Sequence, residues 1–318
     1  MIAVPYTASQ QAQWDTLVAQ ARNATFLHQR SYLAYLGPIS NDCSLCFYHP
    51  RHTSRLIAAI PACKVGNTII SHPYLTYGGL ILAHDTHLPQ AQEAFTAAIQ
   101  YYKETLHAQS LIYRPTPHIY HTQPSDDDLY ILQQLGATCT ERKLSTALTQ
   151  LAPNQLRRRE LRNPHSITCS QATPDEWPEF HQLLTQILLT RHNARPTHTL
   201  PQLLTLANTF PTNIRLYLAR KDQHILAGTV VYLTQTVAHL QYIAASDQGK
   251  QLGALTILIQ YVYNTLIRNP QTTSPRPIFL DFGTSMEPSD HSLNRGLCQW
   301  KESFGGTAVV YDTYQLSL

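Results

Sequence analysis

Between residues 214 and 266 three apolar runs, a glycine-bearing loop and an apolar helix follow one another with little chain to spare, and few folds accommodate that order. The runs, 214–219, 225–233 and 237–245, are joined by the polar turns Lys221-Asp222-Gln223-His224 and Thr234-Gln235-Thr236, which predicts an antiparallel meander. The loop 246–253 then leads into a helix with Leu255, Leu258, Ile259, Val262 and Leu266 on one side. Upstream lie a short strand around Ile167, a helix opened by Pro174 and Asp175, and a shorter one opened by Thr199-Leu200-Pro201. Downstream come a strand at 277–282, a helix with Leu293, Leu297, Trp300 and Phe304 on one stripe, and a last strand through Val309, Val310, Tyr311 and Tyr314. The series from 166 onward is β, α, α, β, β, β, α, β, α, β.

The first half repeats much of this order. A helix is expected at 9–22, apolar runs near Leu45 and at 56–62, 68–71 and 75–82, a helix at 89–107, a strand at 111–113, a helix at 125–135 and a strand at 137–148. No repeat of individual residues accompanies the repeat of elements. A chain of 318 residues with 43% hydrophobic content suits two domains, so the expected division is a module at 1–150, a basic linker at 151–165 and a module at 166–318. The linker carries Arg157, Arg158, Arg159 and Arg162, either as a solvated helix or facing a phosphate.

Charged residues make up 14% of the chain and the net charge is +3, so nothing resembles a tail built for nucleic acid. The start, Met1-Ile2-Ala3-Val4-Pro5-Tyr6, lacks the pattern of a signal peptide, and no stretch has the apolar length of a membrane span, which leads us to expect a cytoplasmic protein. Six scattered cysteines are expected to stay reduced. Cys43, Cys46, His49 and His52 fall within ten residues, but positions three apart on a strand point to opposite faces, so no metal is expected there.

The element order resembles the GNAT acyltransferase fold, an α/β fold with mixed sheets, here in tandem duplication. Phe279-Leu280-Asp281-Phe282-Gly283, followed by Trp300-Lys301-Glu302-Ser303-Phe304-Gly305, is similar to a tail pattern of the FemAB-type aminoacyltransferases and related acetyltransferases, which carry two GNAT-like modules. Phe26-Leu27-His28-Gln29-Arg30 and the segment His72-Pro73-Tyr74-Leu75-Thr76-Tyr77-Gly78-Gly79-Leu80 resemble bacterial proteins of the same kind. The resemblance implies an acceptor side in the first module and a donor side in the second. Its implied donor is an acyl-CoA, acetyl-CoA first, or an aminoacyl-tRNA, and its implied acceptor is an amine on a small molecule, or on a sugar or peptide of cell-envelope precursors.

Direct attack by an amine needs a donor carbonyl within reach and stabilisation of the oxyanion, but no covalent nucleophile. The GNAT pattern Gln/Arg-x-x-Gly-x-Gly/Ala, which receives a pyrophosphate at a helix start, fits here at Gln248 and Gly253 but has Gln251 where the first glycine belongs, and Gly249, Lys250 and Ala254 complete the candidate donor-binding set. An ordinary strand-to-helix turn is the other reading of that loop. Asp281 is a candidate base or amine-orienting carboxylate, or else a cap of the turn that follows it. Lys301 is a candidate for stabilising the oxyanion, or else a solvated lysine at a helix end. Tyr77, Gly78 and Gly79 are candidates for the acceptor site or for a plain bend, and His118 for the same cleft. A non-catalytic double-GNAT protein that binds a glycan or nucleotide-sugar competes with both transferase readings.

Overall fold

The computed structural model describes residues 1–35, 41–49, 51–52, 54–73, 75–269, 277–287 and 291–318, so Tyr74 of the His72 segment lies outside the described residues. The chain divides into two compact units, Met1–Lys143 with Val310–Leu318, and Leu144–Val309. Sequence placed the division in segment 151–165 and left the C-terminus with the second module. The boundaries instead fall inside two long strands, Thr138–Leu148 and Thr307–Ser317.

Unit 1 contains β1 (Val4–Pro5), α1 (Gln11–Gln20), α2 (Arg30–Leu33), β2 (Leu45–Tyr48), β3 (Leu56–Ile60), β4 (Cys63–Val65), β5 (Thr68–Ile70), β6 (Ile81–Leu82), α3 (Leu88–Gln100), β7 (Ser110–Tyr113), α4 (Asp127–Gln134) and the start of β8 (Thr138–Leu148). Strands β1, β2, β3 and β6 pair antiparallel in that order. β5 is antiparallel to β4 and parallel to β7. Leu45, Phe47, Phe95, Tyr102 and Tyr113 fill the core between these sheets and α3. The apolar run at 75–82 becomes a strand only at its end. Gly78 N–H donates to the Arg114 carbonyl, and Gly79 sits at φ +70, so the chain bends before Ile81 can pair.

Unit 2 contains the end of β8, α5 (Gln155–Glu160), β9 (Thr168–Gln171), α6 (Trp177–His192), α7 (Leu200–Thr209), β10 (Ile214–Lys221), β11 (His224–Leu233), β12 (Val237–Ala245), α8 (Asp247–Gln251), α9 (Ala254–Tyr263), β13 (Phe279–Thr284), α10 (Arg295–Glu302) and the start of β14 (Thr307–Ser317). Strands β9 to β12 form the expected antiparallel meander with one strand ahead of it. β13 then adds parallel to β12, and residues 145–148 of β8 pair antiparallel with β13. The α9 stripe is as read from its spacing, with Leu258, Ile259 and Val262 fully buried against Leu226, Val231, Leu240 and Leu280. On α10 the buried helical positions are Cys298 and Lys301, whereas Leu293 and Leu297 are exposed. Among the described residues no helix is long and apolar enough to cross a membrane, and no group of three or more His, Cys, Asp or Glu is placed to hold a metal.

Candidate functional site

Parallel strands β12 and β13 pair at Val237–Phe279, Ala238–Leu280 and His239–Asp281, where their register ends. Just beyond, β12 carries an extra residue, Gln241, because Val230 of β11 faces Tyr242 and Val231 faces Leu240. Such a bulge bends and twists its strand. The two strands part, and residues 240–245 of one, with Phe282 and Thr284 of the other, line a cleft of about 760 Å3. Its remaining wall comes from α5, α6, α9 and α10, including Arg157, Glu160, Leu188, Arg191, Thr256 and Lys301.

Lys301 is placed here by packing that begins in the tail motif. Phe282, Trp300 and Phe304 form an aromatic trio, with ring centroids 5.3–6.0 Å apart, that ties α10 to β13. Asn294 caps α10 by accepting from Leu297 N–H at 2.8 Å, a contact worth about 1 kcal/mol. Gly305 sits at φ +96, and a Cβ on it would lie 2.8 Å from Ala152 Cβ, so glycine is required where the chain turns out of the helix. Lys301 is 2% exposed and its Nζ donates to the carbonyls of Gly283 and Thr284, both at 2.7 Å. Burial lowers its pKa to about 8, opposed by the negative charge of Asp281.

Asp281 is fully buried and is absent from the cleft lining, since neighbouring strand residues face opposite ways and it is Phe282 that reaches the cleft. Its carboxylate accepts from Ser145 Oγ at 2.6 Å and Gly283 N–H at 3.0 Å, and pairs with His239 Nδ1 at 2.9 Å. The group expected as a base thus anchors the point at which the strands part.

The loop after β12 folds as a helical turn instead of an open cradle. Ser246 Oγ accepts from Gly249 N–H at 3.0 Å, and the amides of Lys250, Leu252 and Gly253 donate to the carbonyls of Ser246, Gln248 and Lys250. A Cβ on Gly249 would lie 2.1 Å from the Leu226 carbonyl oxygen, so this glycine serves the approach of the turn to β11. Lys250 lines the cleft, and burial with the nearby Arg191 charge lowers its pKa. Gln248 is exposed and Ala254 is buried in the core. At Gly253, φ +70, a Cβ would come within 2.8 Å of Glu160 Cγ. Glu160 therefore rests on the first turn of α9, where its Oε2 accepts from Arg157 Nη1 at 2.5 Å and from Thr256 Oγ1. Of the linker arginines, Arg157 lines the cleft, and Arg158, Arg159 and Arg162 are exposed.

In unit 1, Tyr77 is buried with its hydroxyl 3.2 Å from Thr25 Oγ1 and its ring against His28, Tyr120 and Tyr311. A Cβ on Gly78 would lie 2.2 Å from the Ser71 carbonyl oxygen, and one on Gly79 would lie 3.1 Å from Tyr113 Oη. Close approach at this glycine pair is made by the chain itself. His118 is exposed and lines a cavity of about 210 Å3 with Pro115, Pro117, Asp126 and Asp312.

Three residues of unit 2 escaped the sequence reading. His239 is a single histidine in an apolar strand, and Tyr242, 2.6 Å from His198 Nδ1, reads as core. Glu160 did carry a signal, its spacing three residues after Arg157.

No family model matches the sequence, and no curated protein does. Among solved structures the chain is similar to FemX, with a TM-score of 0.69 at 12% identity over 100% of this chain and 98% of that one. It is also similar to a conserved protein of unknown function from Bacteroides thetaiotaomicron, with a TM-score of 0.60 at 13% identity over 100% of both chains. A third likeness is to L-PGS from Bacillus licheniformis, with a TM-score of 0.59 at 12% identity over 99% of this chain and 93% of that one. At these identities the likeness is one of fold, and the fold of this chain is a mixed α/β fold like that of FemX.

Proposed function

We propose that the chain is an acyltransferase-type enzyme that carries an acyl or aminoacyl group from an activated ester or thioester to an amine in the cleft of unit 2. The observation that carries this reading is the buried Lys301 ammonium at the wall of the cleft opened by β12 and β13. The FemX-like fold agrees with it.

In the proposed reaction a neutral amine attacks the donor carbonyl, a C–N bond forms, and the C–O or C–S bond breaks. The attacking nitrogen loses a proton and the leaving group ends as alcohol or thiol. Lys301, protonated below about pH 8, supplies positive charge where negative charge develops on oxygen. Asp281 acts as a positioning residue through Gly283, whose carbonyl receives Lys301.

The acetyl-CoA donor anticipated from the loop pattern does not fit the residues as they stand. The amides of 249, 250, 252 and 253 already have acceptors, and Glu160 lies against the start of α9. No step is assigned to a pyrophosphate. The reading is tested by mass spectrometry of candidate amines incubated with acyl-CoAs and with aminoacyl-tRNA. Product that disappears in Lys301→Ala supports it, whereas retention of a glycan or nucleotide-sugar without any product favours the non-catalytic alternative, for which the burial of Asp281 speaks.

A further inference from the structure

We infer that Glu160 is a specificity-determining residue of the cleft, its carboxylate competing at the first turn of α9 with any phosphate that a donor brings there. The inference rests on reading the cleft as the donor site. A helix N-terminus favours one anionic group through its unpaired amides and its dipole. In this chain that anion is built in. Glu160 Oε2 is held by Arg157 Nη1 at 2.5 Å and by Thr256 Oγ1, and Arg157 Nη1 also donates to Thr256 Oγ1 at 3.0 Å.

The clamp is assembled wholly within unit 2 and is anchored at both ends. Asn154 caps α5 by accepting from Arg157 N–H at 3.0 Å, and the Arg157 guanidinium carbon lies 5.7 Å from the centre of the Phe304 ring. Glu160, Arg157, Gly253, Thr256 and Lys250 all line the cleft. A phosphate entering beside Gly253 meets a fixed carboxylate, and Nη1 of the nearest guanidinium is already engaged by that carboxylate and by Thr256. Either two anions share one helix start or Glu160 gives up its partners, and both outcomes weaken binding. Donors with no phosphate at that point avoid the conflict, so the cleft selects for them.

The test is calorimetric titration of the full chain with coenzyme A and, separately, with inorganic pyrophosphate, in wild type, Glu160→Gln and Glu160→Ala. Removing one fixed negative charge at this range is expected to tighten both probes on the order of tenfold to a hundredfold. Glu160→Gln keeps the size and a hydrogen-bonding oxygen for Thr256, so it separates loss of charge from loss of packing, and its melting curve establishes that it is folded. Equal affinity in all three proteins, tighter binding by wild type, or binding by none of them overturns the inference. Turnover is not needed, so the result stands apart from the loss of product in Lys301→Ala that tests the cleft itself.

Discussion

His239 Nδ1 lies 2.9 Å from Asp281 Oδ2, and these two residues are the last partners of β12 and β13 before the strands separate. The contact fixes where the cleft begins. Asp281 is fully buried, and Asp281→Asn keeps an oxygen for Ser145 Oγ and Gly283 N–H, which share Oδ1, but replaces the oxygen facing His239 Nδ1 with an amide nitrogen. Asp281→Asn is expected to cost roughly 1–3 kcal/mol in denaturant unfolding. If the cleft is the site of transfer, activity should fall mainly in kcat, because the strands that carry the carbonyls holding Lys301 are less firmly joined while the other cleft residues stay in place. A variant as stable as wild type would sink this account.

Lys301 should titrate in the folded protein near pH 8 rather than near 10.5. Between those values the unfolded chain binds the proton and the native chain does not, so stability should rise as pH increases through that window. Lys301→Met is expected to flatten that rise in melting temperature. Lys301→Ala should lower kcat/KM by on the order of a hundredfold to a thousandfold if the ammonium stabilises the oxyanion.

Burial pushes the His28 pKa down to about 4, with Nε2 against the Gly78 carbonyl at 2.8 Å. Between pH 6.5 and about 4 the unfolded chain takes up the proton that the native chain refuses, so stability is lost as pH falls. The loss should be on the order of 3 kcal/mol from this residue. Chemical denaturation at pH 7, 5.5 and 4.5 checks it, and a His28→Gln protein should show a shallower decline.

Two glycines separate backbone need from local preference. Gly249→Ala places a methyl 2.1 Å from the Leu226 carbonyl oxygen and should destabilise by several kcal/mol, near the top of the usual range for single substitutions. Gly296→Ala, exposed in α10 with its nearest neighbour at 3.7 Å, should be neutral or stabilise by up to about 1 kcal/mol. Thermal melts of both decide between the two expectations.

What could be read from sequence was periodic. The α9 stripe, the meander and the tail aromatics follow from spacing, and each takes its expected place in unit 2. The function of Asp281 was open to the same logic, since strand alternation puts it on the face opposite Phe282. Other roles depend on partners far along the chain, which spacing does not reveal. Gly78 is glycine because of the Ser71 carbonyl, Gly249 because of Leu226, and Glu160 meets α9 some ninety residues later. At Gly78 and Gly249 the chain's own backbone occupies the space that a side chain would need.

Where β12 and β13 part, the Gly283 and Thr284 carbonyls of β13 receive Lys301 Nζ instead of a strand partner. A side chain thus stands where a rung of the ladder is missing, and it brings a charge into a place that a neighbouring strand would have filled with a neutral amide.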